Sequence, residues 1–240
     1  MADQFIRTEM LFGAAALEKL KGARVIVFGL GGVGGYAVEA LARSGVGALD
    51  VVDNDTISLS NLNRQILATH QTIGMAKTEA AANRIAAINP KCAVRTYNTF
   101  FLPENVSAFD FGQYDYVVDA VDTVSAKIGL VLAAQNAGVP IISAMGTGNK
   151  LNPAAFKVTD VYKTAVCPLA HIMRKELRKR GVKHLKVVYS DEIPQKPADN
   201  PEVKAENPNR RTTPGSTAFV PPVAGLIIAA EVIKDLIDKV

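Results

Sequence analysis

The 240-residue sequence predicts an α/β fold: a doubly wound, mostly parallel sheet with a smaller C-terminal α+β extension. Short β-branched runs alternate with segments whose apolar residues have helical spacing, which is typical of parallel sheets covered by helices. The first run ends in a glycine-rich turn, Gly29-Leu30-Gly31-Gly32-Val33-Gly34. Hydrophobic residues make up 48% of the chain, aromatic residues only 6%, and tryptophan is absent. This composition favours such a sheet over a β-sandwich.

The first half of the chain alternates regularly between strand and helix. Residues 24–28 predict a strand, followed by the glycine turn and a helix over 33–43. A second strand over 48–52 ends at Asp53 and completes a βαβ unit. The alternation continues with a helix over 76–88, strands over 93–98 and 116–121, a helix over 125–137 and a strand over 140–144. Ligands bind such sheets at the carboxyl ends of the strands, where the turn, Asp53 and residues 119–122 would meet.

Beyond residue 150 the pattern weakens. It predicts a strand over 156–161, a basic helix over 168–180, a short strand over 186–189 and a terminal helix over 222–238. Residues 193–209 contain four prolines and many polar residues, so we expect a mobile loop at about 193–210. We interpret residues 1–240 as a single domain, with a core over 1–150 and an extension over 151–240.

Bulk properties exclude several classes of protein. The two cysteines, Cys92 and Cys167, lie far apart with no signal peptide before them, which predicts a reducing, cytoplasmic environment rather than a disulfide scaffold. Residues 219–233 are apolar but contain two prolines and Glu231, so we predict no transmembrane helix. The formal net charge of +4 is mild and matters only where the basic residues cluster.

The glycine turn predicts a phosphate site. Glycines let backbone N–H groups approach an anion, and the following helix adds the positive end of its dipole. The alternative is a tight strand-to-helix crossing without a ligand. No Gly-Lys-Ser or Gly-Lys-Thr follows, so the turn is not a P-loop and a nucleotide's countercharges must come from elsewhere.

Arg64 and Lys77 are the candidates for those countercharges. Arg64 lies in a loop after the second strand, and Lys77 opens a helix, where a cation is a poor match to the dipole. Lys77 could equally be an ordinary surface lysine. Asp119 and Asp122 end the next strand at the same edge, and we favour Asp122 as a Mg²⁺ ligand and Asp119 as structural support.

Several of these segments together resemble, in order and spacing, the ThiF/MoeB-type adenylating domain of the ubiquitin-activating superfamily. They are Arg7, the glycine turn, Asp53-Asn54-Asp55, Ser60-Asn61-Leu62-Asn63-Arg64-Gln65, Gly74 with Lys77, and Asp119 with Asp122. The resemblance covers about residues 5–150 and implies a Rossmann-like adenylating fold with an ATP-binding core. It also implies a homodimer in which Arg7 reaches the neighbouring subunit's site.

The resemblance gives each motif residue a role. It implies Asp53 on the ribose of ATP, Arg64 and Lys77 on the phosphates, and Asp122 on Mg²⁺, with Arg7, Arg64, Lys77 and Asp122 as the catalytic set. The further nucleotide contacts that we expect are Gly29, Gly31, Gly32, Gly34, Asp55, Asn61 and Asn63.

The chain also departs from the branches that activate small proteins. Two isolated cysteines cannot form the four-thiolate zinc site common there, so we expect no structural zinc. Cys167 could be a nucleophile, but no activating neighbour is evident, and an inert thiol is the favoured interpretation.

The second half instead resembles the tRNA threonylcarbamoyladenosine dehydratase group. The resemblance rests on residues 7–13, 159–161 with 168–170, 213–216 and 219–221. On the helix over 168–180, Leu169, Ile172, Met173 and Leu177 predict an apolar stripe. The basic residues that we expect to hold tRNA phosphates are Arg174, Lys175, Arg178, Lys179, Arg180, Arg210 and Arg211.

This resemblance implies ATP-dependent dehydration of threonylcarbamoyladenosine beside the tRNA anticodon to its cyclic form. The threonyl carboxylate would be adenylated, and intramolecular ring closure would follow. The alternative is adenylation of the C-terminal glycine of a ubiquitin-like sulfur carrier. A nicotinamide dehydrogenase, which Arg64 and Lys77 disfavour, and a non-catalytic nucleotide-binding scaffold are further alternatives. A sulfur-transfer protein is a candidate second partner.

Overall fold

The computed structural model describes residues 3–198 and 213–238. Seven strands form one sheet, in the order β3-β2-β1-β4-β5-β7-β6. The strands are β1 (Arg24–Phe28), β2 (Ala48–Val52), β3 (Ala93–Tyr97), β4 (Tyr116–Asp119), β5 (Ile141–Ala144), β6 (Phe156–Asp160) and β7 (Lys186–Ser190). All neighbours pair in parallel except β6, which runs antiparallel to β7 at the edge. The predicted fold class is confirmed.

The helices of the described chain are α1 (Ile6–Phe12), α2 (Ala14–Gly22), α3 (Gly34–Arg43), α4 (Lys77–Ile88), α5 (Val124–Asn136), α6 (Pro168–Lys179) and α7 (Val220–Asp238). One large core joins residues of α2, α3, α4 and α7 to the sheet. Two further clusters join α5, α6 and the aromatic residues before β4 to the sheet. Helices therefore cover both faces, as a doubly wound sheet requires.

The C-terminal segment continues the main sheet. Strand β7 pairs in parallel with β5, and β6 pairs with β7, so residues beyond 150 extend the sheet of the first half. Helix α7 packs against α3, beside the glycine turn, and its buried residues belong to the largest core cluster. Residues 193–198 are described without helix or strand, and 199–212 lie outside the described residues, as does most of the predicted loop.

Some boundaries differ from the predictions for clear physical reasons. Helix α7 begins at Val220 rather than at 222 because the first turn of a helix tolerates proline, and Pro221 and Pro222 occupy that turn. Helices α1 and α2 were not predicted. Both helices are short, and only Leu17 and Leu20 of them are buried, so they contribute few residues to the core. None of the described helices has the length and apolar character needed to cross a bilayer.

Candidate nucleotide-binding active site

The glycine turn connects β1 to α3 at the carboxyl edge of the sheet. Gly29 has a φ of +88°, and a Cβ on it would lie 2.7 Å from the carbonyl oxygen of Ala120. A Cβ on Gly34 would lie 1.7 Å from the carbonyl oxygen of Gly29. The backbone N–H groups of residues 31–33 donate no hydrogen bond to any other described residue. Unpaired amides at a helix N-terminus form a cradle for an anion.

Asp53 is fixed directly beside this turn. Its Oδ2 accepts a hydrogen bond of 2.6 Å from the backbone N–H of Leu30, and its Oδ1 accepts one of 2.9 Å from that of Asp55. Its side chain is only 9% exposed. Each carboxylate oxygen has two lone pairs, so Asp53 can still accept hydrogen bonds from a ligand's hydroxyl groups.

Lys77 belongs to the same site, which makes it unlike an ordinary surface lysine. It is the first residue of α4 and is only 5% exposed. Its Nζ lies 2.7 Å from Oδ2 of Asp55 and 3.8 Å from Oδ1 of Asp53. The two carboxylates offset the unfavourable position of a cation at a helix N-terminus. The structure therefore brings Lys77, Asp53, Asp55 and the glycine turn together.

Arg64 lies across the turn, half-buried. Its Nη1 donates hydrogen bonds of 2.9 Å to the carbonyl oxygen of Ser60 and 2.8 Å to Oδ1 of Asn63. Its Cγ would be 3.4 Å from a Cβ on Gly32. Burial lowers the pKa of Arg64, but a guanidinium keeps its charge in proteins. Asn63 also donates to the carbonyl oxygen of Ser216 at 3.2 Å, which ties this loop to the C-terminal segment.

Asn61, a predicted nucleotide contact in the same loop, has a structural role. Oδ1 of Asn61 accepts a hydrogen bond of 3.2 Å from the backbone N–H of Ser58, closing a short capped turn. This turn fixes the start of the segment that carries Asn63 and Arg64. Asn61 is half-buried, so its amide group is partly accessible beside the site.

Asp119 and Asp122 have different environments. Asp119 is fully buried, accepts hydrogen bonds from Ser143 and Lys127, and forms an ion pair with Lys127 at 3.0 Å. Asp122 is exposed, three residues further along the same edge. Asp119 thus has the structural role that we favoured for it, and the metal role of Asp122 stays a prediction. Within 3–198 and 213–238, no group of three or more His, Cys, Asp or Glu side chains could hold a metal ion.

The sequence interpretation gave no individual role to three polar residues at this edge: Gln65, Lys127 and Ser143. All are at least nine-tenths buried. Lys127 carried a detectable signal, because it is a lone charge within the otherwise apolar helix α5. Gln65 directly follows Arg64 in the recognised motif, whereas an isolated serine such as Ser143 gives no sequence signal.

Arg7 is exposed on the short N-terminal helix α1. Its helix also exposes large apolar side chains, with Met10 at 80% and Leu11 at 84% exposure. Residues of this kind on a short surface helix are often covered by another protein surface. The role of Arg7 in a neighbouring subunit's site stays a prediction.

Helix α6 presents one basic face. His171, Arg174, Lys175, Arg178 and Lys179 line a shallow depression on it. Arg174 donates to the carbonyl oxygen of Thr164 at 2.9 Å, and the guanidinium of Arg178 lies 5.2 Å from the ring centre of Tyr162. Lys175 is exposed. The helix thus displays a row of cations, of which Arg174 and Arg178 are held by contacts with residues before the helix.

Arg180 and Ile172 differ from the other predicted residues of this helix. Arg180 follows the last turn and lines a second groove with Glu176, to which it donates a hydrogen bond of 2.8 Å, and its contact with tRNA stays a prediction. Hydrogen bonds from Lys179 and Arg180 lower the pKa of Glu176 to about 2, so this carboxylate stays charged beside them. Ile172 is 43% exposed, so the buried stripe consists of Ala170, Met173 and Leu177. Arg210 and Arg211 lie outside the described residues.

Together, the parallel sheet, the glycine turn and the adjoining Asp53 and Lys77 define a nucleotide-binding α/β protein. A family model described as the ThiF family matches residues 5–239. The chain belongs to the ThiF family, and the predicted membership of this adenylating superfamily is confirmed.

Comparison with characterised proteins gives matches along the full chain. The tRNA threonylcarbamoyladenosine dehydratase of Bacillus subtilis (strain 168) is 42% identical, over 100% of this chain and 97% of that protein. The tRNA threonylcarbamoyladenosine dehydratase of Escherichia coli (strain K12) is 33% identical, over 99% of this chain and 94% of that protein. The crystal structure of the E. coli enzyme, TcdA, in complex with AMP has a TM-score of 0.89 at 33% identity, covering 98% of this chain and 94% of that one. Its complex with ATP has a TM-score of 0.87 at 32% identity, with the same coverage.

Proposed function

We propose that this chain is an ATP-dependent tRNA threonylcarbamoyladenosine dehydratase. The full-length match to the B. subtilis dehydratase carries this proposal, since it includes both the glycine turn and the C-terminal segment. The modified nucleoside would be converted to a cyclic form with loss of water. The adenylyltransferase and sulfurtransferase UBA4 of Vanderwaltozyma polyspora, by contrast, matches only 55% of the chain.

The residues around the glycine turn would bind ATP. The free amides of residues 31–33 suit phosphate oxygens, and Asp53 can accept hydrogen bonds from the ribose hydroxyl groups. Lys77 and Arg64 would supply positive charge to the phosphates. The binding of ATP by the E. coli relative supports this assignment. Negative phosphates would compete with Asp55 for the amine of Lys77.

Asp122 is the residue that would hold Mg²⁺. It is an exposed carboxylate that follows β4, next to the turn, and Mg²⁺ in nucleotide sites takes one or two carboxylates and completes its shell with phosphate oxygens and water. A single protein carboxylate therefore fits this ion. When bound, Mg²⁺ would neutralise part of the charge on the phosphates.

The reaction would proceed in two displacements. An oxygen of the threonyl carboxylate attacks the α-phosphorus of ATP, and pyrophosphate leaves. A nucleophilic atom of the same nucleoside then attacks the acyl carbon and gives up its proton, and AMP leaves with the former carboxylate oxygen. Because the nucleophile is tethered to the acyl group, the protein's role is positioning and charge stabilisation. Cys167 is only 1% exposed, which fits a mechanism without an enzyme thiol.

The basic face of α6 would bind the tRNA backbone. Phosphate contacts from Arg174, Lys175, Arg178 and Lys179 would orient the RNA with little base specificity. The exposed apolar residues of α1 support a homodimer in which Arg7 completes the neighbouring site. Arginine suits that role because its charge is permanent and its fork can clamp phosphate oxygens. We expect the enzyme to act in the cytoplasm.

One alternative rests on a specific match. An adenylyltransferase and sulfurtransferase UBA4 is 41% identical over 132 residues, which cover 55% of this chain and 30% of that protein. This similarity favours adenylation of a sulfur carrier's C-terminal glycine. The match leaves the C-terminal segment unexplained, and two cysteines cannot form a four-thiolate zinc site.

Pyrophosphate exchange distinguishes the two candidates. Incorporation of labelled pyrophosphate into ATP should depend on tRNA that carries threonylcarbamoyladenosine. Asp122→Ala should abolish most of this exchange and leave the folded fraction unchanged. Exchange that depends instead on a Gly-Gly-ended carrier protein would support the alternative. Wild-type rates in Asp122→Ala would contradict the metal assignment.

A further inference from the structure

Asn149, in the loop after β5, has a backbone conformation that few side chains adopt. Its φ is +60°, in the left-handed region. Asparagine enters that region more readily than most residues because its short polar group can hydrogen-bond locally. The preceding Gly148 is also constrained, since a Cβ on it would lie 2.7 Å from Cβ of Pro214. The loop after β5 is therefore shaped to receive the segment that begins at Pro214.

Asn149 holds this segment by its backbone and by its side chain. Its Oδ1 accepts a hydrogen bond of 2.7 Å from the backbone N–H of Gly215, and its own N–H donates to the carbonyl oxygen of Gly215 at 2.8 Å. The carbonyl oxygen of Asn149 accepts a further bond of 2.7 Å from the N–H of Gln195. Both backbone polar groups of Gly215 are thus bonded to Asn149, and the side chain supplies one of these two bonds.

The residue after Gly215 continues the contacts toward the nucleotide site. The carbonyl oxygen of Ser216 accepts a hydrogen bond of 3.2 Å from Nδ2 of Asn63. At the other end of the same amide, Oδ1 of Asn63 accepts a bond of 2.8 Å from Nη1 of Arg64. Asn63 is exposed, so packing alone does not fix its amide. The bond to Ser216 therefore turns Oδ1 of Asn63 toward Arg64.

This contact sets the direction of the Arg64 guanidinium. Nη1 donates to Oδ1 of Asn63 and, at 2.9 Å, to the carbonyl oxygen of Ser60. A guanidinium is planar with its N–H groups in a fixed arrangement, so two bonds from Nη1 also determine where Nε and Nη2 point. Nε and Nη2 donate to no group within residues 3–198 and 213–238. These are the donors of Arg64 that remain for a ligand.

We propose that Asn149 is a positioning residue that orients the guanidinium of Arg64 for adenylation of the threonyl carboxylate. It acts through the contacts described above, from Gly215 and Ser216 to Asn63. The inference rests on the proposed function. It assigns a part in the reaction to a residue that lies outside the recognised motifs and that contacts the site only through other residues.

The expected effect is on the rate of reaction rather than on ATP binding. In the sheet, β5 lies next to β4 and is separated by β4 and β1 from β2, which Asp53 follows. The contacts from Asn149 therefore begin on the side of the sheet opposite the residue proposed for the ribose. The glycine turn, Asp53 and Lys77 would still hold ATP if Arg64 were misaligned. A misaligned donor, however, stabilises less of the charge that develops in the transition state.

The test compares Asn149→Gly with wild type in steady-state dehydration of tRNA that carries threonylcarbamoyladenosine. Glycine tolerates the left-handed backbone and keeps both backbone hydrogen bonds, so the variant loses only Oδ1. We expect kcat to fall about tenfold, since misplacing a group by about 1 Å can lower a rate about hundredfold. KM for ATP should stay close to that of wild type, because losing an interaction made only in the transition state lowers kcat and kcat/KM equally.

Two other variants separate positioning from stability. Asn149→Asp keeps Oδ1 and tolerates the same backbone conformation, so it should recover most of kcat. Asn152→Gly is the matched control, because Oδ1 of Asn152 accepts a comparable bond of 3.0 Å from the N–H of Ala154 in the same connection between β5 and β6. It should leave kcat unchanged. All rates are referred to the folded fraction, measured by thermal melting.

A double variant tests the route of the contacts. Asn63→Ala should itself lower kcat, and adding Asn149→Gly should lower it no further, because both changes interrupt the same series of bonds. Independent, multiplying losses in the double variant overturn the proposal. Wild-type kcat in Asn63→Ala does so as well, and this result applies even if Asn149→Gly does not fold.

The remaining outcomes are also decisive. A lower melting temperature of Asn149→Gly with unchanged kcat identifies a purely structural residue and overturns the proposal. Equal kcat values for Asn149→Asp and Asn149→Gly, both below that of wild type, overturn the role of Oδ1. Wild type that binds ATP but does not dehydrate the modified tRNA contradicts the proposed function, and this inference with it. Active wild type with an equally active Asn149→Gly overturns this inference alone.

Discussion

Replacing Lys127 with methionine tests whether the buried ion pair beneath the site stabilises the fold. The Nζ of Lys127 contacts both carboxylate oxygens of Asp119 at 3.0 Å and the carbonyl oxygen of Val121 at 3.1 Å. Both side chains are fully buried. The substitution leaves the Asp119 carboxylate in the interior with hydrogen bonds only from Ser143 and the backbone N–H of Val121.

The expected loss follows from this arrangement. Removing one partner of a buried pair costs about 3–5 kcal/mol, because the other charge is left uncompensated. The free energy of unfolding of such domains is about 5–15 kcal/mol, so the single variant should lose a large part of its stability. Adding Asp119→Asn removes the stranded charge, and the double variant should recover a large part of the loss.

Urea unfolding followed by circular dichroism measures the effect. Wild type, the two single variants and the double variant form a cycle that isolates the pair's interaction free energy. Lys157→Met is the control, since Lys157 pairs with Asp191 on the surface and its loss should cost less than about 1 kcal/mol. If Lys127→Met is no more destabilising than Lys157→Met, the reasoning about the buried pair is wrong.

Three further predictions concern the turn, a buried carboxylate and a thiol. Gly34→Ala should lower the melting temperature, because the added Cβ would lie 1.7 Å from the carbonyl oxygen of Gly29. ATP should no longer raise the melting temperature of this variant, and a normal increase with ATP would contradict the prediction. Burial opposes ionisation of Glu39, but hydrogen bonds from Arg84 and Arg43 give it a net lowered pKa. The ionised Glu39 therefore stabilises the fold above its unfolded pKa of 4.5, and this stabilisation is lost as pH falls through the lower folded pKa. The unfolding free energies of wild type and Glu39→Gln should converge in acid. Urea titrations at several pH values measure this, and a difference that persists in acid would contradict it. Burial raises the pKa of the Cys92 thiol to about 11. Its reaction with a thiol-specific disulfide reagent at pH 8 should therefore be slow in the native protein and fast in urea. A rapid reaction of the native protein would refute this prediction.

The alternation of elements was predictable because each strand ends in a local signal. Glycines follow β1, and Asp53 follows β2, so the positions of these strands could be read within one or two residues. The integration of the C-terminal strands was not predictable. Their pairing with β5 depends on contacts between residues distant in sequence, and the residue pattern of a short strand does not specify its neighbour.

The site was predictable where charge and glycine stand out in the sequence. Asp53, Lys77 and the turn do meet at one edge of the sheet. A linear motif does not contain side-chain directions. These determine the salt bridge from Lys77 to Asp55 and the fixed position of Arg64. They also determine the burial of Oε1 of Gln65, which has no partner among the described residues. The ion pair of Arg180 with Glu176 was not predicted for the same reason.

Nucleoside analysis tests the central proposal most directly. Purified protein would be incubated with ATP, Mg²⁺ and tRNA containing threonylcarbamoyladenosine. The tRNA would then be digested to nucleosides under conditions that preserve the cyclic product, and the masses of the nucleosides would be measured by liquid chromatography and mass spectrometry. The proposed function predicts a nucleoside lighter by one water molecule, formed only with ATP and accompanied by stoichiometric AMP and pyrophosphate. An unchanged threonylcarbamoyladenosine with protein that binds ATP normally would contradict it.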